Sequence, residues 1–312
     1  DPGSIEPLLA AFSSRDTDNL VLQSSAIALG QLASMEHSDV VEALSAYIEE
    51  GREEQTRHFS LISLGQIGAR DENVEANQES HDKLFDLLGK EIQKKGKSQN
   101  HRSWAALSAA LYSRGQEERQ PDFIARIKSA YDKESDPSYK GAFAVALGLL
   151  NDKTSSDDVY EDFSKRQEPG FKGYAAVALG FMQHTEAADA MRSLCQNKAT
   201  IPTLRLQVAI GLGLMSDTQA VPVLIETLDK ATTLGVSSAV AKALGLIGDR
   251  DSISPLRKIA MDDDVQNITR AFACVALGIV GEKTDLPWNA AISMHNNYRA
   301  QTPSIQEVLD IL

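Results

Sequence analysis

The chain is poor in the residues that build disulfide-bonded, metal-binding or membrane proteins. It has two cysteines, Cys195 and Cys274, without the CxxC spacing of a zinc or redox site. Both are expected to be buried, since a free cysteine behaves as a small apolar side chain. Aromatic residues make up only 6% of the 312 residues. No apolar run reaches the roughly 18 residues that a membrane span needs, so no membrane span is predicted.

Positive charge is also scarce. The chain has 31 Lys and Arg against 44 Asp and Glu, a formal net charge of -13. This acidity disfavours binding to a phosphate backbone, and no nucleic-acid partner is predicted. The sequence has no Gly-rich phosphate loop and no Gly-x-Ser-x-Gly elbow. Asp262–Asp264 lacks the spacing of a calcium loop. We therefore predict no cofactor, no metal and no enzymatic activity.

A short segment of small apolar residues recurs eight times, and most copies end in Ala-Leu-Gly, as in Ala144–Gly148 and Ala176–Gly180. The last residues of the copies are Gly30, Gly65, Ala110, Gly148, Gly180, Gly213, Gly245 and Gly278. The later copies are spaced 32 or 33 residues apart. A fixed period of this length is typical of a solenoid, in which each repeat buries its apolar face against its neighbours.

Each repeat is predicted to contain two helices. The first has apolar residues at helical spacing, as in Val221, Leu224 and Leu228, and the second ends in the small-residue motif. We predict an all-α, right-handed α-α superhelix of about eight helical pairs over residues 1–283, with a C-terminal capping segment over 284–312. In that segment Thr302 and Pro303 precede a short apolar pattern and are predicted to open a helix. The first repeat has no comparable capping segment before it, which leaves open whether the array continues before Asp1 in a longer parent protein.

These features resemble the HEAT-repeat family, in particular the bacterial phycobilisome-lyase-like subtype, over roughly residues 3–282. A weaker resemblance links the Ala-Leu-Gly segments to proteasome/cyclosome repeats. A basic residue stands eight positions before the motif's last residue in six copies: Arg57, Arg102, Lys140, Lys172, Arg205 and Arg270. The resemblance implies that these residues form a structural ladder with acidic side chains near the turns between helices.

The resemblance also implies that the second helices line a concave face. Their inner positions are mostly apolar, which predicts burial on all sides. Three arrangements explain that burial: a partner helix in the groove, inner helices packed on one another, or another region of the parent chain. The predicted partner-binding residues are Phe59, Trp104, Tyr174, Val177, Phe181, Leu214, Lys242 and Phe272, and Tyr174 and Phe181 are the predicted central anchors.

The predicted function is therefore a non-catalytic scaffold or adaptor that holds another polypeptide. The alternative is a phycobilin-lyase-like or chaperone-like protein that binds a tetrapyrrole or its carrier. A deoxyhypusine-hydroxylase-like di-iron site is excluded, since only His58 occupies a ligand position and Phe59 follows it where glutamate is required. The remaining histidines are expected at the surface: His37, His81, His101, His184 and His295.

Overall fold

The computed structural model describes residues 2–14, 16–94, 99–197, 199–231 and 233–281. These residues form sixteen α-helices joined by short turns and 3₁₀ segments, and the described ranges contain no strand. No helix in the described part combines the length and the apolar character needed to cross a membrane. The predicted fold class, an all-α repeat of eight helical pairs, is confirmed.

Each repeat contributes one odd-numbered and one even-numbered helix. The helices are α1 (Ile5–Ser13), α2 (Asn19–Leu32), α3 (Ser38–Glu50), α4 (Glu54–Ala69), α5 (Gln78–Gln93), α6 (Gln99–Tyr112), α7 (Gln120–Lys133), α8 (Pro137–Leu149), α9 (Ser156–Lys165), α10 (Pro169–Phe181), α11 (Ala188–Gln196), α12 (Pro202–Leu214), α13 (Val221–Asp229), α14 (Leu234–Ile247), α15 (Ile253–Met261) and α16 (Asn267–Gly281).

Local sequence sets where the second helices begin. Asp18, Glu53 and Asp136 are the N-caps of α2, α4 and α8, and their carboxylates accept hydrogen bonds from backbone N–H groups of the first turn. Proline opens α8, α10 and α12, where its missing N–H costs little and its fixed φ suits a helix.

A left-handed residue follows four consecutive second helices, three positions after the small-residue motif. It is Asn151 after α8, Gln183 after α10, Ser216 after α12 and Gly248 after α14, with φ between 52° and 63°. This conformation ends a helix and is strained for residues that carry a Cβ. The structural repeat is thus regular even where glycine is absent.

The small residue at the end of each motif allows adjacent second helices to pack closely. A Cβ added at Gly148 would lie 2.9 Å from the Cα and the carbonyl oxygen of Ala178, and one at Gly180 would lie 2.7 Å from the carbonyl oxygen of Gly211. These neighbours are backbone atoms, which cannot move aside as a flexible side chain can. Leu147 and Leu179, just before the glycines, are fully buried.

The chain divides into two compact units, Asp1–Met215 with six repeats and Ser216–Leu312 with the last two. In the first unit the second helices α2 to α12 pack consecutively on one another, and each also packs on the first helix of its own repeat. In the second unit α14 packs on α16 in the same way. The predicted capping segment, 284–312, lies outside the described residues.

Candidate functional site

The predicted partner-binding residues differ in how much of their surface is exposed to solvent. In the first unit Val177 has no exposed surface and Trp104 is 2% exposed, so a partner cannot use them without rearrangement. Phe59, Tyr174, Phe181 and Leu214 in this unit are half-buried, as is Phe272 in the second unit, while Lys242 there is exposed. The expectation that Val177 and Trp104 form open surface is therefore corrected, because neighbouring helices already cover them.

The central second helices form an inner layer within the first unit. At the position three residues before the motif's end, Ile62, Leu107, Val145 and Val177 are 4% exposed or less. Tyr174 on α10 lies against the preceding second helix, α8, since a Cβ at Gly141 would meet its Cδ2 at 2.6 Å. Much of the apolar inner surface is thus buried by the chain itself, and the half-buried side chains at its edge remain accessible.

An aromatic and imidazole cluster joins the first halves of α4 and α6. We define the His58 cluster as His58 and Phe59 on α4 with His101 and Trp104 on α6. The ring of His58 stacks on Trp104 with centroids 5.2 Å apart and an interplanar angle of 11°, and lies 5.6 Å from the ring of His101. Phe59 meets Trp104 edge to face at 6.2 Å. Three of these four side chains are buried, and Phe59 is half-buried.

His58 is a buried polar group without a hydrogen bond. It is 1% exposed, and neither ring nitrogen has a hydrogen-bond partner in the described part of the chain. Nε2 lies 3.7 Å from Oε1 of the exposed Glu54, too far for a good hydrogen bond. Burial lowers the pKa of His58 to about 3, and the nearby His101 and Arg57 contribute to the same shift. His58 is therefore a neutral imidazole at physiological pH.

His101 belongs to a buried charged network next to His58. Its Nε2 lies 2.7 Å from Oε2 of Glu91, which has no exposed surface, and Lys94 donates to the same carboxylate at 2.8 Å. Burial opposes ionisation of Glu91, but the hydrogen bonds from His101 and Lys94 outweigh it and hold the pKa of this carboxyl below its usual value. The network fixes the His101 ring beside His58.

The residues of the predicted ladder mostly fasten the end of the first helix of their own repeat. Arg102 donates to the carbonyl oxygen of Ile92 (2.9 Å), Arg205 to that of Asn197 (2.9 Å) and Arg270 to that of Ala260 (3.1 Å). The ammonium groups of Lys140 and Lys172 lie over the rings of Tyr131 and Phe163 instead. Ion pairs to carboxylates involve two ladder residues in the described chain, Lys140 with Asp162 and Arg270 with Asp263, both at 3.0 Å.

Two residues of this series, Arg57 and Arg205, bury an Nε that has no hydrogen-bond acceptor in the described residues. Arg205 still donates to the carbonyl oxygen of Asn197 through Nη2. Arg57 precedes His58 on α4, so an unused guanidinium N–H and an unused imidazole occupy the same turn. A buried donor without an acceptor is costly and commonly marks a place where a ligand or water binds.

Two expectations about histidine and cysteine are wrong. His81 and His101 are buried, not at the surface. His81 bridges Oδ2 of Asp71 (2.8 Å) and the hydroxyl of Tyr112 (3.0 Å) between α5 and α6. Cys274 is exposed, while Cys195 is buried as expected. Among the described residues, no cluster of three or more His, Cys, Asp or Glu side chains is arranged to hold a metal ion.

Two parts of the chain are similar to known proteins in sequence. Residues 204–230 match the model of the PBS lyase HEAT-like repeat. The predicted resemblance to these repeats is confirmed. A 63-residue segment is 41% identical to the bilin biosynthesis protein PecE of Mastigocladus laminosus. That segment is 20% of this chain and spans 23% of PecE.

Solved HEAT-like structures share the fold over most of the chain. A chain from the complex of CpcE and CpcF of phycocyanin lyase from Nostoc sp. PCC7120 has a TM-score of 0.54 and 18% sequence identity, and the match covers 88% of this chain and 94% of that one. YibA of Escherichia coli has a TM-score of 0.50 and 19% identity, with coverage of 88% and 92%. At these identities the likeness establishes the fold alone.

These findings contradict the prediction that the HEAT-like chain is not an enzyme. PecE is a protein of bilin biosynthesis, and the Nostoc structure is of a phycocyanin lyase. They also favour the tetrapyrrole-handling alternative over the purely structural scaffold. In the Nostoc structure two proteins, CpcE and CpcF, form a complex.

Proposed function

We propose that this chain is a bilin-lyase-like HEAT-repeat protein that binds a linear tetrapyrrole and acts together with another polypeptide. The observation that carries the proposal is the 41% identity to PecE over 63 residues. The fold shared with the phycocyanin lyase chain supports it. The partner polypeptide is either the acceptor of the tetrapyrrole or a second lyase subunit.

The His58 cluster is the region best suited to a tetrapyrrole. A bilin combines flat conjugated rings, which stack on aromatic side chains, with propionate groups that need a cationic partner. Phe59 provides a half-buried ring supported from behind by Trp104. Arg57, also half-buried, provides a guanidinium group, and its buried Nε–H has no acceptor in the described residues. The neutral His58 has one further donor and one acceptor, but it is buried, so a bilin would reach them only if the side chains around His58 move.

The half-buried residues Tyr174, Phe181 and Leu214 are the proposed contact surface for the partner polypeptide. They lie on α10 and α12, at the edge of the inner layer of the first unit. A few large side chains, aromatic ones above all, supply most of the affinity of typical interfaces. Lys242 and Phe272, in the second unit, remain predicted contacts.

Titration with phycocyanobilin tests the proposal. We expect a saturable change in visible absorbance at one bilin per chain. Arg57→Gln should weaken binding about 10-fold or more, since it removes a charge-assisted hydrogen bond. Phe59→Ala should weaken it by a similar factor. Arg257→Gln, at an exposed position on α15, is the matched control and should bind as the wild type does.

Transfer is tested separately by mixing the bilin-loaded chain with apo-phycocyanin and following covalent bilin fluorescence on a denaturing gel. Covalent product formed faster than with free bilin supports a lyase role. Binding without faster transfer would limit the function to carrying the tetrapyrrole. Absence of any stoichiometric spectral change with the wild-type chain would refute the proposed function.

A further inference from the structure

The two second helices of the second unit carry little charge, and all of it is positive. Lys242 is the only charged residue of α14 and Arg270 the only one of α16, in a chain whose net charge is -13. Arg270 is occupied, since it donates to the carbonyl oxygen of Ala260 and pairs with Asp263. Lys242 is exposed and forms no ion pair with any residue that the structure describes.

Lys242 stands where the other repeats have an apolar side chain. Three residues before the motif's end, the other seven second helices carry Ile, Leu or Val. In the first unit this position forms part of the buried inner layer, as at Val145 and Val177. An unpaired ammonium cannot take that role, because burying it is costly. The seventh repeat therefore departs from the others at an inner position.

The other inner positions of α14 and α16 are apolar and open to solvent. Leu246, one turn after Lys242, is 39% exposed, and on α16 Val275 is 48% and Ile279 38% exposed. The equivalent positions in the middle of the first unit are closed, as at Leu111, which is 3% exposed. The second unit thus presents as surface what the first unit uses for packing.

Ile279 joins the two helices into one continuous face. A Cβ added at Gly245 would collide with Cβ and Cγ2 of Ile279, so this side chain packs on α14 at the residue before Leu246. On each helix the inner positions fall within about 80° of arc and rise no more than about 12 Å. We define the α14–α16 face as Ser238, Lys242 and Leu246 on α14 with Phe272, Val275 and Ile279 on α16.

A helix with one apolar side fits a face of this size and character. Its residues at i, i+4 and i+7 span about 10 Å and provide the apolar contacts. A carboxylate at i+3 lies in the same stripe and can pair with the ammonium of Lys242. The apolar side chains around this pair exclude water and strengthen the attraction. A strongly acidic partner surface is disfavoured, because the chain as a whole is acidic.

We propose that the α14–α16 face binds an amphipathic helix of the partner polypeptide. Apolar residues of that helix contact Leu246, Val275 and Ile279, and one carboxylate within its apolar stripe pairs with Lys242. The inference rests on the proposed function only in requiring a partner polypeptide. It assigns that partner a contact in the second unit and the chemistry of the element that makes it.

Binding of a fluorescein-labelled peptide to the full chain, followed by anisotropy, tests the proposal. The probe is an alanine-rich peptide of about eighteen residues, long enough to be helical in water. It carries leucine at i, i+4 and i+7 and glutamate at i+3. Two sister peptides carry glutamine or lysine at i+3 and are otherwise identical.

The glutamate peptide should bind the wild-type chain saturably at one per chain. The glutamine peptide should bind about 5-fold more weakly or worse, since it lacks the charge-assisted contact. Lys242→Glu should weaken binding of the glutamate peptide about 10-fold or more and improve binding of the lysine peptide. Lys258→Glu makes the same charge change at an exposed position of α15 and is the matched control, with affinities equal to those of the wild type. Circular dichroism checks that both variants are folded.

Three results would overturn the proposal. One is no saturable binding of the glutamate peptide, or equal affinities for all three peptides. Another is displacement of the peptide by phycocyanobilin together with weaker bilin binding by Lys242→Glu, which would assign the face to the tetrapyrrole. The third is a wild-type dimer by light scattering that Lys242→Glu dissociates, which would assign it to a second copy of the chain. Bilin titration of the wild type is independent of the peptides, so failure of the proposed function is distinguishable from failure of this inference.

Discussion

The close approach of neighbouring second helices predicts a specific cost for adding a single methyl group at Gly180. Its Cβ would lie 2.7 Å from the carbonyl oxygen and 2.9 Å from the Cα of Gly211, and 3.0 Å from the Cβ of Leu214. Forcing extra volume into a packed interior costs about 1–3 kcal/mol. Replacing glycine by alanine inside a helix recovers about 1 kcal/mol of helix propensity. Gly180→Ala should therefore lower the free energy of unfolding by up to about 2 kcal/mol.

Gly170→Ala is the control in the same helix. Gly170 is exposed near the start of α10, and an added Cβ there would meet no atom within 4 Å. Replacing Gly170 by alanine changes only the helix propensity at this position. The free energy of unfolding should therefore be unchanged or rise by up to about 1 kcal/mol. Urea unfolding followed by circular dichroism measures both variants against the wild type. Equal midpoints for Gly180→Ala and Gly170→Ala would refute the close packing of α10 against α12.

Three further predictions concern the turns, the inner layer and the His58 cluster. Ser216→Gly should raise the free energy of unfolding by about 0.5 kcal/mol, since it relieves a left-handed residue with φ 54°. Gln183→Gly should bring no such gain, because its side-chain amide donates to the carbonyl oxygens of Gly180 and Leu214; a gain in both variants by thermal unfolding would contradict this account. Tyr174→Ala should destabilise the chain by about 1–3 kcal/mol, less than a fully buried aromatic would, since Tyr174 is half-buried; an unchanged melting temperature would show that its contact with Gly141 contributes nothing. Burial lowers the pKa of folded His58 to about 3, below its usual value of about 6.5. The unfolded chain therefore takes up the proton first, and stability falls as the pH drops below about 6.5, by at most about 1.4 kcal/mol per pH unit. His58→Phe removes this contribution, and urea midpoints that fall equally in wild type and variant between pH 6.5 and 4 would exclude His58 as its source.

The repeat architecture was predictable because it depends on residues close together in sequence. The small-residue motif sets the distance between neighbouring second helices, and Gly148 and Gly180 meet backbone atoms of the next repeat as that role requires. Proline at the start of α8 or α10 and capping carboxylates such as Asp136 act within one turn. Each of these effects recurs with the period of the repeat, so the pattern reinforces itself along the chain.

The polar networks were not predictable in the same way, because their members come from different helices. His81 is separated by 31 residues from Tyr112, its partner across α5 and α6. His101 pairs with Glu91 across the segment where the spacing between motifs is longest. Their positions relative to predicted turns suggested exposure, but side-chain contacts between helices bury them. The prediction for Cys274 was wrong in the opposite direction, since this residue was expected to be buried and is exposed. The periodic pattern implies a following helix that would cover it, and the described residues contain no such helix.

The location of the candidate site follows from how a repeat array uses its residues. Positions that hold the stack together are used for packing in most repeats: glycines such as Gly148 and Gly180 approach the next backbone, and ladder residues such as Arg102 and Arg270 fasten the first helix. A side chain becomes available for a ligand where a repeat departs from this scheme. The second repeat departs twice on one turn of α4, since the Nε of Arg57 has no acceptor and the ring of His58 has no hydrogen bond among the described residues. In the third repeat, Trp104 stacks on that ring. The unsatisfied donors and the aromatic rings therefore lie together on α4 and α6, which is why the proposed bilin site is placed there.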